Sequence, residues 1–145
     1  MGTVRRDIHI EAPMEVVHSF GHDPKQWEQW YVNFRGPKKL IGEGDAGTIV
    51  EAEYTLMGMH IPIRIEVIED TVGHWEGKIT GAMEGQQIIT VVPEGSGSHV
   101  EMRWTYALSN KVLNKVADNR VAEKIMERSL EKTMENWKNR CETNH

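Results

Sequence analysis

The sequence predicts an α+β fold in which an antiparallel sheet of about seven strands packs against one long C-terminal helix. From residue 48 to residue 108, apolar and polar residues alternate in segments separated by short turns. Such alternation is typical of strands with one buried face, and hairpin-length turns make neighbouring strands antiparallel. Residues 110–141 are the only stretch long and periodic enough for a major helix. A first strand at residues 3–11 and two short helices after it complete the predicted order.

From Arg120 onward, the long helical segment divides into four rows of residues at spacing four. A basic row and an acidic row lie side by side, and two rows of apolar or small residues lie opposite, because successive helical residues are about 100° apart. We therefore expect one face of this helix to cover the sheet and the other to face water. The apolar positions rotate near Asp118 and Asn119, which predicts a kink or a separate first turn.

Two short helices are predicted directly after the first strand. Pro13 suits the first position of a helix, because its missing N–H needs no partner there, and Gly21 is expected to end that helix. Asp23 can cap a second helix that begins at Pro24 and ends at Trp30. Both helices would lie between the first strand and the rest of the sheet in the chain order.

The later strand segments place their apolar side chains on one face of the sheet. The segments at residues 48–57, 60–69 and 99–108 alternate clearly. Residues 86–92 fit either parity, because apolar residues occupy both odd and even positions. A short edge strand is predicted around Leu40.

Composition and charge exclude several classes of protein. A chain of 145 residues fits a single domain, residues 1–145, with a sizeable core. A net charge of −5 argues against nucleic-acid binding, which requires clustered Lys and Arg to neutralise phosphates. No apolar run approaches the roughly 20 residues that span a bilayer, so we expect no transmembrane segment. A cytoplasmic location is expected, and the lone Cys141 is compatible with a reducing compartment.

Two stretches of the sequence carry a resemblance to a known family. The opening, IEAPMEVVHSFGHDPKQWEQW, has Ala-Pro after the first strand, Asp-Pro before the second helix, and paired tryptophans at Trp27 and Trp30. Together with the closing SLEKTMENWKNRCE, it resembles the START-like (SRPBCC) superfamily, which includes polyketide cyclase/dehydrase-like and lipid-transfer proteins. The resemblance implies a helix-grip fold, in which a strongly curved sheet wraps around the long helix and leaves a hydrophobic cavity between them.

The apolar face of the sheet is the predicted wall of that cavity, although the same pattern also fits a solid core. Arg6 is the one polar residue on the apolar face of the first strand, so its guanidinium or a tyrosine hydroxyl could orient a ligand. Leu113 and Val116 are expected to face the ligand as a gate, with Gly58 and Met59 opposite. The predicted ligand-binding residues are Arg6, Tyr54, Leu56, Ile63, Ile65, Trp75, Met102, Trp104, Tyr106, Leu113, Val116 and Met126.

A catalytic centre cannot be assigned from the residues alone. A cyclase would need an acid–base group inside the cavity, and the candidates beside apolar faces are Arg6, Tyr54, Tyr106 and His60. Arg6 can instead pair with a neighbouring carboxylate, and the tyrosine hydroxyls can simply be hydrogen-bonded. The catalytic residues therefore stay unknown at this point.

His18 and His22 stand four residues apart and could share one helix face as metal ligands. We expect no third ligand nearby, and Gly21 is expected to interrupt the helix between them. Neither a zinc-type cysteine cluster nor a dinucleotide-binding fingerprint is present. We therefore expect no metal and no cofactor.

Three functions fit these observations. The leading one is the binding, for sequestration or transport, of a hydrophobic small molecule or lipid between the sheet and the long helix, without catalysis. The first alternative is a cyclase or dehydratase acting on a polyketide-like substrate. The second is an interaction module that uses the charged helix face with Trp27 and Trp30 to contact a protein or, peripherally, a membrane.

Overall fold

The structure is a computed structural model that describes residues 2–109 and 119–143, without the side chain of residue 119. The predicted order of elements is confirmed. In chain order they are β1 (Gly2–Ile10), α1 (Met14–His22), a 3-10 turn (Pro24–Gln26) that continues into α2 (Trp27–Trp30), β2 (Phe34–Ile41), β3 (Ile49–Leu56), β4 (Met59–Asp70), β5 (His74–Gly81), β6 (Met83–Glu94), β7 (Gly97–Leu108) and α3 (Asn119–Thr143).

The seven strands form one antiparallel sheet in the order β1-β7-β6-β5-β4-β3-β2. Strands β2 to β7 follow one another as hairpins, while β1 pairs with β7, so that Gly2 lies opposite Tyr106. Helix α3 packs across the sheet, and α1 and α2 pack beside it. The α+β helix-grip architecture predicted from the sequence is therefore confirmed. Among the described helices, none is long and apolar enough to span a bilayer.

Helix α3 buries the face that its sequence pattern predicts. Ala122, Met126, Leu130 and Met134 are all at most 2% exposed, and they pack against the concave face of the sheet. Val121 departs from the pattern, because 43% of its surface is exposed at the start of the described helix. The predicted helical residues 110–118, with the expected kink, lie outside the described residues.

The pairing of β6 with β7 settles the parity that the sequence left open. Gln87 lies opposite Trp104 and Ile89 opposite Met102, and all four side chains are buried. Residues with odd numbers therefore face the interior, whereas Val92 is 47% exposed on the outer face. The edge strand β2 begins at Phe34 and is longer than the segment around Leu40 that was predicted, and it has a register shift between Arg35 and Lys39.

The expectation that Gly21 ends the first helix is wrong, because α1 continues through it to His22. A Cβ atom at Gly21 would lie 2.5 Å from the ring of Trp137, so glycine allows α1 to contact that ring directly. The indole N–H of Trp137 donates to the carbonyl of Val17 at 3.2 Å, which fixes α1 to α3. The predicted cap of the second helix is confirmed, since the Asp23 carboxylate accepts from the N–H of Lys25 at 3.0 Å.

Candidate binding pocket

A narrow pocket lies between the two short helices and the strands β4, β5 and β6. Its mouth is formed by the C-terminal end of α1 and by the turn that joins β4 to β5. The cavity between its walls has a volume of about 40 Å³. The pocket is therefore a slot with closely spaced walls. Helix α3 contributes only Trp137 to the described lining.

Four tryptophans form much of the lining, and they are arranged in two pairs. Trp27 meets Trp75 edge to face, with ring centres 5.8 Å apart and an angle of 85°. Trp30 stacks on Trp137 with ring centres 5.2 Å apart and an angle of 21°. Edge-to-face and stacked aromatic pairs are favourable and geometrically defined, so these side chains form a rigid apolar wall.

The indole N–H groups of these tryptophans differ in their hydrogen bonding. Trp27 donates to the carbonyl of Gly21 at 2.9 Å, and Trp137 donates to the carbonyl of Val17, which also lies in α1. The N–H groups of Trp30 and Trp75 are buried and have no hydrogen-bond partner among the described residues. Buried donors without partners are unfavourable by about 1–3 kcal/mol, so each would gain from a ligand or water acceptor.

Gln87 and Tyr31 add a polar pair to the pocket lining. The Gln87 amide, which is 3% exposed, donates to the Tyr31 hydroxyl at 2.7 Å and contacts the sulfur of Met102 at 3.0 Å. Burial raises the pKa of Tyr31 above its ordinary value, so the phenol stays protonated near neutral pH. Its hydroxyl remains a hydrogen-bond donor as well as an acceptor.

Three groups with ligand atoms for a metal meet at the pocket mouth. His18 Nε2 lies 2.9 Å from Asp70 Oδ1, and His22 Nδ1 lies 2.7 Å from Asp70 Oδ2. The expectation that no third ligand lies near the two histidines is therefore wrong. Asp70 ends β4 far along the chain, and the uninterrupted helix α1 places both imidazoles on the side that faces it.

The sequence matches the family described as "Polyketide cyclase / dehydrase and lipid transport" over residues 1–142. The chain belongs to this family. The START-like resemblance noted in its opening and closing stretches is thereby confirmed. No curated protein matches the sequence.

Solved structures show the same fold as this polyketide cyclase/dehydrase and lipid-transport family member. TTHA0849 from Thermus thermophilus is 18% identical, with a TM-score of 0.80 and 99% of both chains covered. A START superfamily protein from Mycobacterium smegmatis is 13% identical, with a TM-score of 0.79 and 99% of both chains covered. A conserved protein from Geobacillus kaustophilus is 14% identical, with a TM-score of 0.79, 99% of this chain and 97% of the other covered. At these identities, the likeness concerns the fold.

In this family member, two of the predicted ligand-binding residues, Ile65 and Trp75, line the pocket. Seven others are buried in the core on the concave face of the sheet and are not among the residues that line the pocket: Tyr54, Leu56, Ile63, Met102, Trp104, Tyr106 and Met126. In this core, Tyr54 meets Trp104 edge to face at 5.2 Å. Burial, with a smaller effect of nearby glutamates, raises the pKa of Tyr106 to about 12.

The polar candidates from the sequence lie away from the pocket. The guanidinium of Arg6 donates to Glu131 at 2.8 Å and lies 3.5 Å from Glu127, so it pairs with the acidic row of α3. This is the ion pair that the sequence offered as the alternative to ligand contact. His60 is exposed, 3.6 Å from Glu53.

The predicted gate can be placed only in part. Leu113 and Val116 lie outside the described residues. On the opposite side, Gly58 is exposed and Met59 is partly buried where β4 begins. Neither Gly58 nor Met59 lines the described pocket.

Sequence reasoning missed several residues of the pocket. The interaction-module alternative needs Trp27 and Trp30 at the surface, but they are 4% and 3% exposed, so it loses its two aromatic contacts. Gln87 was missed because its strand had no assigned parity. Asp70 lies beside the turn after β4, and no sequence pattern connects that turn to α1.

Proposed function

We propose that the chain binds a flat, largely apolar small molecule with hydrogen-bond acceptors in the pocket between its short helices and β4–β6. The observation that supports this most directly is the pair of buried indole N–H groups, on Trp30 and Trp75, that have no partner among the described residues. Both side chains belong to the pocket lining. Apolar walls with a few polar groups are characteristic of small-molecule sites.

The dimensions of the pocket restrict the shape of the ligand. The cavity volume of about 40 Å³ exceeds the roughly 10–15 Å³ that one water needs, so a few waters fit. A slot of this width between aromatic walls suits a ring system that stacks on indoles better than a flexible acyl chain. Binding of a molecule larger than a few waters, a ring system included, would require α1 or α2 to move away from the sheet.

Polar groups of the slot would orient such a ligand. Gln87 and the Tyr31 hydroxyl are joined by a hydrogen bond of 2.7 Å at the interior of the pocket lining. A ligand carbonyl or hydroxyl could accept from an indole N–H or from the Tyr31 phenol, while its rings displace water from apolar surface. Apolar burial contributes about 25 cal/mol per Å², so the rings would supply most of the affinity.

Fluorescence titration with 1-aminoanthracene, a flat apolar probe, tests the proposal on two matched variants of neighbouring residues. Val91 lines the pocket, whereas Val92 is 47% exposed on the outer face of the same strand. Val91→Phe should weaken saturable binding roughly tenfold or more, equivalent to about 1.4 kcal/mol, while Val92→Phe leaves it unchanged. Ile65→Phe is a second pocket-filling variant in case Val91→Phe unfolds.

Two outcomes would count against the proposal in different ways. Equal binding by Val91→Phe, Ile65→Phe and Val92→Phe would place the probe elsewhere on the molecule. If the fluorescent fatty acid cis-parinaric acid binds more tightly than 1-aminoanthracene, and the pocket variants weaken that binding, the ligand is a lipid and not a flat ring system. Native mass spectrometry of the freshly purified chain would then identify which class co-purifies.

A further inference from the structure

We propose that His18, His22 and Asp70 form a binding site for a single zinc-type divalent transition-metal ion at the mouth of the pocket. The three ligand atoms all lie within 4.8 Å of one another. They come from two rigid elements, since both histidines belong to α1 and the aspartate ends β4. This inference goes beyond the proposed ligand binding and does not depend on it.

The distance from each imidazole nitrogen to an oxygen of Asp70 is close to what such an ion requires. Zinc bonds of about 2.0–2.1 Å at tetrahedral angles place neighbouring ligand atoms about 3.3 Å apart. The two nitrogen–oxygen distances are 2.9 Å for His18 and 2.7 Å for His22. An outward shift of about half an ångström, which rotation of the partly exposed imidazoles allows, would admit the ion.

The hydrogen bonding of the cluster is incomplete. His18 Nε2 and Asp70 Oδ1 satisfy the geometry of a hydrogen bond. His22 Nδ1 lies nearer still to Asp70 Oδ2, but the atom is buried and makes no hydrogen bond to the described residues. The two atoms are therefore close without forming a hydrogen bond, and an ion bound by both would satisfy the buried nitrogen.

The burial and charge of the cluster also fit a cation. The Asp70 side chain is 5% exposed, and a buried carboxylate needs a positive partner. Two imidazoles and one carboxylate form a mixed nitrogen and oxygen set, which suits zinc and its first-row neighbours, whereas magnesium and calcium favour oxygen ligands. A ligand set of three protein groups leaves one coordination position for water or a bound molecule.

The surroundings hold the three groups in position. Trp27 donates to the carbonyl of Gly21, the residue before His22, at 2.9 Å, and the close approach of Trp137 fixes the same turn of α1. On the other side, Thr71 and His74 close the turn after Asp70, with the Thr71 N–H donating to the His74 carbonyl at 2.9 Å. All three proposed ligands line the pocket, so the open coordination position would face its mouth.

Metal titration of the tag-free, chelator-treated full chain tests the site without any activity assay. We expect one Zn²⁺ per chain by native mass spectrometry and calorimetry, and the visible absorption of tetrahedral Co²⁺ when cobalt replaces zinc. His18→Ala, His22→Ala and Asp70→Asn should each weaken Zn²⁺ binding by about 100-fold or more, since even outer-shell partners contribute 10–100-fold. His74→Ala is the matched control, because His74 lines the same pocket outside the cluster.

Thermal melting with and without Zn²⁺ provides a second measurement on each variant. Zinc should raise the melting temperature of the parent chain and of His74→Ala but not of the three ligand variants, because a ligand that binds the native state stabilises it. Absence of stoichiometric zinc binding would overturn the proposal. Binding that survives in the ligand variants and disappears in His9→Ala would overturn it too, by placing the ion at the carboxylates around His9. Loss of 1-aminoanthracene binding alone would leave the metal site standing.

Discussion

One concave sheet face is covered in two different ways in this molecule. Under α3, side chains such as Leu56, Trp104 and Met126 are at most 2% exposed and belong to the buried core. Under α1 and α2, large tryptophans leave a slot between them, with two indole N–H groups unpartnered among the described residues. The strands present apolar residues equally in both regions. The covering helices therefore determine which part of the sheet becomes core and which becomes pocket.

Truncating one buried side chain in each region should produce the largest difference in the free energy of unfolding. Leu56→Ala, in the filled core, is expected to lower the free energy of unfolding by roughly 3–5 kcal/mol, and Ile65→Ala, at the slot, by about 2 kcal/mol. Ile65 already faces empty space, so its removal loses fewer contacts. Urea denaturation followed by far-UV circular dichroism measures both values. Equal losses would show that the slot is packed as tightly as the core.

Adding one methyl group where α1 contacts α3 should clearly lower the stability of the chain. Gly21→Ala would place a Cβ atom 2.5 Å from the ring of Trp137. We expect it to lower the free energy of unfolding by about 1–3 kcal/mol through overpacking, even though alanine favours helices over glycine by about 1 kcal/mol. Ser19→Ala, at an exposed position of the same helix, is the control and should change stability little. A more stable Gly21→Ala chain would mean that α1 can move freely away from α3.

Removing the ion pair at the edge of the core should have the smallest effect on the free energy of unfolding. Arg6→Gln removes contacts to Glu131 and Glu127, but the Arg6 side chain is 35% exposed. Partly exposed pairs contribute about 0.2–1 kcal/mol, and salt reduces that further. We expect a loss below about 1 kcal/mol at low salt and unchanged 1-aminoanthracene binding. A marked loss of probe affinity would instead support the original prediction that Arg6 orients a ligand.

The contrast between the two regions also explains what the sequence could predict. Alternation in the strands identified Tyr54, Leu56 and Trp104 as facing inward, because period-two patterns depend only on neighbours along the chain. The inward position of Gln87 depends on the register between β6 and β7, which the sequence around it does not specify because apolar residues occupy both parities. The face assignment succeeded, whereas the location of the described pocket depends on how α1 and α2 pack, which strand patterns do not specify.

The candidate metal cluster shows the same limit at a single site. Spacing four along the chain identified His18 and His22 as a possible pair. Their third partner, Asp70, reaches them through the packing of the β4 end against α1, which involves residues far apart in the chain. Gly21, interpreted as a helix end, instead allows close helix packing. A glycine can end a helix or allow close packing, and only the position of Trp137 shows that Gly21 does the second.

The pairing of β1 with β7 has a consequence for how the protein is synthesised. β1 is bonded within the sheet only to β7, where Ile8 lies opposite Val100 and Gly2 opposite Tyr106. At about 5–20 residues per second, a ribosome needs roughly 5–20 s to reach the partner strand after completing β1. Until then, the half-apolar first strand lacks its partner in the sheet and its apolar side chains stay exposed to other parts of the nascent chain. The earliest strand to be made is thus one of the last to be fixed.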